Sequence, residues 1–407
     1  MRYRGTIPHL EVRLLSVTPR RRPRVVAAPN AFKGTYDAVQ VAGAWAHSLA
    51  DVARVDVRPM SDGGDGFVAV VRHYRPSVLE VRARVRDPLG RPIEAAWGWD
   101  PDRRVAYLES AGAIGLRHLA PEERRPLTAD TAGLGGLIRV ATSLDVRRLV
   151  IGLGGSATVD GGMGMARELG YGLEDARGRE IRRPAELPRL ARLSAPRDSP
   201  FGLPGGSGRP APVEVTVLAD VRNLLLGPQG AAAVYGPQKG ASPADVERLE
   251  AGLVRLAHRW SDDLGAPREL SERPGAGAAG GLGAALVAFL GGRLVGGAGW
   301  SARLARLARA LEGADLVLTG EGRLDAQSLA GKGTGYVLSR ARRKGLPVAV
   351  VCAEAVIRGT DLDPPVTLVE GKDLTPKTAE PPGAPLSLDE LGHLARLAVD
   401  RLRSERG

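Results

Sequence analysis

The chain has one cysteine, Cys352, among its 407 residues. That excludes an internal disulfide and any multi-thiolate metal site. Cys352 lies in the apolar run Pro347 to Ala353, so a buried strand thiol is expected rather than a nucleophile. Aromatic residues make up only 4%, leaving Leu, Val and Ala to build the core. There is no run of about 18 apolar residues, so no membrane-spanning helix is expected. The histidines His9, His47, His73, His118, His258 and His393 form no pair at metal-ligand spacing and are expected to be fillers. Asparagine occurs only at Asn30 and Asn223, and six lysines stand against 51 arginines. Lys33, Lys239 and Lys332 sit in Gly-containing turns, where a compact ammonium suits a phosphate better than a planar guanidinium.

Hydrophobic residues account for 43% and charged residues for 25%, as in packed globular proteins. A length of 407 residues exceeds what one core usually organises, so two domains are expected. The net charge of +11 resembles a nucleic-acid signal, but residues 1–24 hold seven Arg and one Glu. The rest of the excess is interleaved with acids over the remaining chain. With no RNA-binding aromatic pattern, zinc-finger spacing or basic helix, a nucleic-acid partner is not expected. Residues 1–23 lack the apolar core of a signal peptide and are expected to form a basic, disordered extension. A cytoplasmic location follows from these readings. The oligomeric state stays open, a homo-oligomer included.

Short apolar runs alternate with helical stretches, the pattern of an α/β fold. Strands are expected at 24–29, 55–59, 78–85, 149–152, 213–218, 314–319, 348–352 and 366–369. A closely spaced pair at 94–99 and 105–110 reads as an antiparallel hairpin. Helices are expected at 37–50, 128–143, 161–169, 243–265, 276–290, 301–312, 333–344 and 386–404, with a shorter one near 229–235. Segments 24–85 and 300–407 then form one doubly wound lobe, and 86–299 forms an inserted α/β domain. Ser194–Pro212 reads as a surface loop and 373–385 as a Pro-rich linker.

The 54 glycines cluster, and four clusters follow strands or open helices. They are Pro29 to Gly34, Ser61 to Gly66, Gly152 to Gly162, and Thr319 to Gln327 continuing to Thr334. In an open parallel sheet the carboxyl ends of the strands form the ligand crevice, and backbone N–H groups there favour phosphate. Asp62, Asp65, Asp160, Glu321 and Asp325 lie in these clusters. Carboxylates beside phosphate-cradling glycines are what magnesium-assisted phosphoryl transfer needs. The rival signals are weak. Gly152 to Ala157 and Gly275 to Gly280 both fit a dinucleotide fingerprint, but the first lacks a following strand that ends at the acid Glu174. Gly331-Lys332 lacks the upstream glycine of a P-loop. Ser156 does not meet the nucleophile-elbow pattern and suggests no His partner.

Together these stretches resemble the glycerate kinase family, the bacterial type with a discontinuous α/β lobe and an inserted domain. The matching segments are Ala28 to Gly34, Ser61 to Gly66, Gly152 to Gly162, Ala219 to Asn223, Gly227 to Gly240, Gly275 to Gly283 and Leu316 to Lys332, in the family's order. The chain departs from the family pattern at Asn30-Ala31, where Asp-Ser is usual, at Val159, where Asn is usual, and at Ala353-Glu354. The resemblance implies a flavodoxin-like lobe, ATP and Mg2+ as cosubstrates, and glycerate as acceptor. On this reading Lys33, Asp220, Lys239 and Lys332 are the catalytic candidates. Gly154, Gly155, Ser156, Gly320, Gly322 and Arg323 would contact substrate or phosphate, and Asp62 and Asp325 the metal.

Overall fold

The computed structural model describes residues 21–201, 213–329, 333–358, 366–374 and 385–404. Most of the Ser194–Pro212 loop, the 375–384 part of the Pro-rich linker, the extension up to residue 20, and Lys332 lie outside these. The fold is mixed α/β, built on two sheets.

The first sheet joins β1 (Arg24–Pro29), β2 (Arg54–Val57), β11 (Leu316–Leu324), β12 (Val348–Ala355) and β13 (Thr367–Glu370). All pairings are parallel, in the order β13-β12-β11-β1-β2. Counted along the chain this is 2-1-3-4-5, so the direction of winding reverses between β1 and β11, where open α/β sheets place their ligands. After its first residue β1 is buried throughout, as a strand covered on both faces requires. The helix Ala38–Leu49 covers one face because Ala38, Val41, Ala42, Trp45 and Leu49 recur at helical spacing and are buried. Its start is fixed by a capping box. Asp37 accepts from the backbone of Val39 and Gln40, and the Gln40 side chain accepts from the Asp37 N–H.

The second sheet contains β3 (Leu79–Arg86), β4 (Pro92–Asp100), β5 (Val105–Glu109), β6 (Arg148–Gly152), β9 (Glu214–Leu218) and β10 (Arg293–Val295), in the order β10-β9-β6-β5-β4-β3. β5, β6, β9 and β10 run parallel, while β4 is antiparallel to both β3 and β5. The run at 78–85 thus pairs in the second sheet and not, as expected, in the first. Its burial explains why: Glu80, Arg82, Arg84 and Arg86 are exposed while Ala83 and Val85 are buried. That alternation suits an edge strand with one wet face. Trp97 is fully buried and Trp99 packs against the same core, so both serve packing.

Other boundaries moved for local reasons. β7 (Gly172–Asp175) and β8 (Leu190–Ser194) form an antiparallel hairpin with no counterpart among the expected strands. The expected helix 301–312 is two, Gly297–Leu304 and Leu307–Ala310, broken where Arg306 adopts a φ of +49°. β11 continues through Gly320–Leu324 and pairs with β12 as far as Ala355. The fourth glycine cluster therefore begins as strand. Cys352 is buried in β12, and burial pushes its thiol up to about 12, consistent with a structural thiol.

Candidate active site

The carboxyl ends of the two sheets meet around one cavity of about 310 Å3. Lys33 comes from the turn after β1 and Asp62 from the loop after β2. Gly154, Gly155 and Ser156 follow β6, and Asp220 and Val221 follow β9. Lys239 enters from the turn Pro237–Lys239, which follows the helix Ala231–Tyr235. Seven of the expected site residues thus line one space: Lys33, Asp62, Gly154, Gly155, Ser156, Asp220 and Lys239.

The glycines fit the loops against one another as well as around the space. A Cβ on Gly152 would lie 2.1 Å from the carbonyl oxygen of Gly63, and one on Gly154 would lie 2.7 Å from the Cα of Gly64. The loops after β2 and β6 therefore touch backbone to backbone, which only glycine permits. This leaves no room for a dinucleotide pyrophosphate against Gly152. The strand β7 that follows pairs antiparallel with β8 and does not extend the parallel sheet, so the dinucleotide reading loses its second support too. Residues 114–116 hold the other side of the loop, with Ala157 N–H donating to Ile114 and Leu116 N–H to Gly155.

Lys239 is 3% exposed. Its ammonium donates to the Ser156 hydroxyl at 3.0 Å and to the Thr158 carbonyl at 2.7 Å. Burial brings its pKa down to about 7, against a smaller upward pull from the Asp160 carboxylate. Asp160 is itself fully buried. It accepts from the Thr131 N–H and hydroxyl at 2.9 and 2.8 Å, and from the N–H groups of Gly162 and Gly164 at 3.0 Å. Burial pushes its pKa up, and these four donors oppose the shift. Asp160 therefore organises the loop from within and does not face the cavity. Asp130 beside it is raised to about 6, by burial first and by Asp160 second.

The two cavity carboxylates are each oriented by backbone. Asp220 accepts from Ala298 N–H at 2.6 Å, at the start of the helix Gly297–Leu304. Asp62 accepts from Gly64 N–H at 2.9 Å within its own turn. Among the described residues no group of three or more His, Cys, Asp or Glu converges as a metal cluster.

The remaining expected residues are placed otherwise. Gly320 lies inside β11, where a Cβ would sit 1.9 Å from the Val351 carbonyl oxygen; it is a contact point between strands. Gly322 lies against the backbone of Phe32 and Lys33 and so supports the Lys33 turn. Arg323 is largely exposed, 3.9 Å from Glu354 across β11 and β12. Asp325 exchanges bonds with Ser328, accepting from its N–H at 3.1 Å while its own N–H donates to the Ser328 hydroxyl. That is the arrangement of a helix N-cap, here for Ala326–Leu329. Lys332 lies outside the described residues. Asp65 pairs with Arg117 at 3.2 Å. Glu321 is largely buried, which raises its pKa, and its Oε1 has no partner among the described residues.

Several wall residues carried no signal of their own in the sequence. Tyr235 and Gln238 lie in the Gly227 to Gly240 stretch, which was legible as a motif and not residue by residue. Tyr235 donates to Asn223 Oδ1 at 2.7 Å, and Asn223 Nδ2 donates to the Gln229 carbonyl at 2.9 Å. One of the two asparagines thus ties the wall together. Ala279 lines the cavity with a φ of +53°, a conformation costly for a residue with a Cβ. Glu109, which ends β5, is buried and accepts from the N–H groups of Val68 and Gly66 at 2.7 and 3.4 Å. It thereby anchors the helix Phe67–Tyr74; burial raises its pKa. At the departures from the family pattern, Val159 is fully buried in the core, Asn30 is buried at the end of β1, and Glu354 is exposed.

The model of the glycerate kinase family matches residues 25–363. The glycerate kinase of Halalkalibacterium halodurans is 39% identical over 332 residues, covering 80% of this chain and 84% of its own. The glycerate 2-kinase of Escherichia coli is 37% identical over 329 residues, with 80% and 84% covered. The crystal structure of a Salmonella typhimurium protein assigned as glycerate kinase 2 aligns with a TM-score of 0.73 at 34% identity. It covers 94% of this chain and 98% of that one.

Proposed function

This chain belongs to the glycerate kinase family, and from that premise we propose that it transfers the γ-phosphate of ATP to a hydroxyl of glycerate, giving phosphoglycerate and ADP. The observation that carries the reading is the convergence of two lysines, two aspartates and the Gly154–Ser156 turn on one cavity, at the carboxyl ends of the parallel strands of two sheets. Both substrates are anions, and such a site answers them with fixed positive charge and backbone dipoles.

In the reaction the acceptor hydroxyl oxygen bonds to the γ-phosphorus. The bond from that phosphorus to the β,γ-bridging oxygen breaks, and ADP leaves with the electron pair. Asp220, held by Ala298 N–H, accepts the hydroxyl proton. Lys33 is exposed on the cavity wall, where it can meet the transferring phosphoryl group. Lys239 contacts an anion from the opposite side and holds Ser156 in place. The relative from Escherichia coli is named a glycerate 2-kinase, and the 2-hydroxyl is the acceptor we take for this chain.

Magnesium fits the residues present. Asp62 is a hard oxygen donor on the cavity wall, and Mg2+ usually takes one or two carboxylates together with substrate phosphates. Asp62 would hold it, leaving Asp220 as the base, and when bound it would neutralise phosphate charge. Asp325, engaged with Ser328, is a poorer ligand than expected from the sequence. The two sheets serve as two lobes on this reading, the first of them flavodoxin-like.

The test is turnover of ATP with D-glycerate, the product identified by phosphorus NMR. A 2-phosphoglycerate signal growing with ADP is expected. ADP release with other small hydroxy acids and not with glycerate would replace the acceptor. No ADP release from any acid in the panel would overturn the kinase reading.

A further inference from the structure

We propose that the groove lined by Arg24, Arg58, Arg306 and Arg309 is a second, non-catalytic site that binds a small phosphate ester or polyphosphate. The groove encloses about 570 Å3 and is bounded further by Ala310 and Glu312. It lies apart from the cavity described above. Arg24 opens β1 while Asn30 follows its other end, and a strand rise puts about 20 Å between them.

Two of the guanidiniums are fixed. Arg24 Nη2 and Arg58 Nε flank the two oxygens of Asp56 at 3.0 and 2.7 Å. Arg24 Nη1 also donates to the Glu312 carbonyl at 3.1 Å, and Arg58 Nη1 to the Ala305 carbonyl at 3.2 Å. Their forks are thereby held in place before any ligand arrives. The other two, Arg306 and Arg309, are exposed, and no hydrogen bond or ion pair engages either side chain among the described residues.

The local charge does not balance. The four arginines share the groove with one lining acid, Glu312, which also lies 3.8 Å from Lys344, while Asp56 meets Arg24 and Arg58 and Asp315 accepts from the Arg24 N–H and pairs with the exposed Arg21. Elsewhere on this Arg-rich surface some single arginines meet single acids, as in Arg148–Glu214 and Arg396–Asp51. Arg306 also adopts a left-handed backbone at φ +49°, which glycine takes freely and an arginine does not. Like charges gathered in the groove repel one another, and a bound anion relieves the repulsion. A tetrahedral phosphate presents pairs of oxygens that planar guanidinium forks match bidentately. A monocarboxylate such as glycerate carries too little charge for four of them. The inference does not rest on the kinase reading.

The test is titration calorimetry with inorganic pyrophosphate at low ionic strength, on the full chain. The variant Arg306→Gly/Arg309→Ala removes the two unengaged guanidiniums, and glycine suits the left-handed position, so folding is preserved. A control, Arg82→Ala/Arg84→Ala, removes two exposed arginines from β3. The expected result is that the groove variant loses a pyrophosphate-binding event, or weakens it at least tenfold. Its kcat and KM without pyrophosphate stay within twofold, and the control binds as wild type. An isotherm for the groove variant equal to that of wild type overturns the proposal. Equal weakening in the control does so too, because binding then follows bulk charge. Displacement of pyrophosphate by a short DNA duplex at lower concentration would reassign the groove to a nucleic-acid backbone and overturn it as well.

Discussion

The buried ammonium of Lys239 donates to the hydroxyl of Ser156 at 3.0 Å, joining two loops that are 83 residues apart in the chain. The same ammonium holds the Thr158 carbonyl, and burial lowers its pKa to about 7. A group that must be positive to meet phosphate supports catalysis below that pH and fails above it. In the free enzyme kcat/KM should therefore fall as pH rises through about 7. In the kcat profile the limb should move to higher pH, because bound anions favour the charged lysine. Asp160 pulls the Lys239 pKa upward, so Asp160→Asn should move the kcat/KM limb to lower pH. A profile unchanged by that substitution would separate the two groups.

The same shift has a consequence for stability. An unfolded Lys239 binds its proton up to about pH 10.4, while the folded one releases it near 7. Between these values the unfolded state holds more protons, so stability should rise with pH over that window. Below pH 7 both states are charged, and the cost of burying the charge is present in full. Lys239→Met removes the group, so the wild-type advantage in urea midpoint over the variant should grow between pH 7 and 10. A constant difference across that range would show that the lysine is not perturbed.

Lys33→Ala should lower turnover at least tenfold with little change in melting temperature. Its side chain is exposed on the cavity wall, so the fold depends on it little, while a lost charge at the phosphoryl group costs transition-state stabilisation. Lys33→Arg should recover little of the loss, because the planar fork places its donors differently. Wild-type kinetics in the alanine variant would make Lys33 a surface charge.

The three aspartates should part company. Asp325 and Ser328 cap a helix start reciprocally, so Asp325→Ala should cost about 1 kcal/mol of stability and leave kinetics of the folded protein near normal. Asp62→Asn should raise the magnesium requirement and be partly rescued by excess metal. Asp220→Asn should lower kcat in a way that metal does not restore. Titrating Mg2+ in steady-state assays of all three, alongside thermal melts, distinguishes these outcomes.

What the sequence made legible follows from the range of each signal. Runs such as Val25 to Ala28 and the face Ala38, Val41, Trp45 carry their own periodicity, so β1 and its helix were readable. The glycine clusters marked the strand ends correctly after β1, β2 and β6, since a close backbone approach leaves a residue-type trace. The same trace also marked Gly320 and Gly322. There glycine serves contacts between β11, β12 and the Lys33 turn, and a loop and a tight strand look alike in composition. The three-residue β10 and the β7–β8 hairpin depend on partners distant in the chain, and no local pattern announces them. Asp160 and Asp62 looked equivalent as acids beside glycines. Their difference is burial, which only the packing of Thr131 and Gly164 around Asp160 decides.

The contact between Gly152 and Gly63 gives the last prediction, because it separates two reasons for which a glycine is kept. The φ of Gly152 is not in the left-handed region, so its backbone would accept any residue. Its neighbourhood would not, since a Cβ there meets the Gly63 carbonyl oxygen at 2.1 Å and its carbon at 2.9 Å. Both atoms belong to backbone and cannot swing aside as a side-chain end could. Gly152→Ala must then push apart the loop that carries Asp62 and the loop that carries Ser156. The expected cost is about 1–3 kcal/mol of stability, together with a fall in kcat larger than any change in KM, because the acid and the anion cradle lose their spacing. Gly178→Ala is the matched control. That glycine has a φ of +73° with nothing within 4 Å of its absent Cβ, so it should cost about 1 kcal/mol through backbone conformation alone and leave kinetics unchanged. Denaturant melts and steady-state assays on both variants provide the comparison. Normal kcat in a folded Gly152→Ala protein would mean that the spacing of these loops does not set the rate.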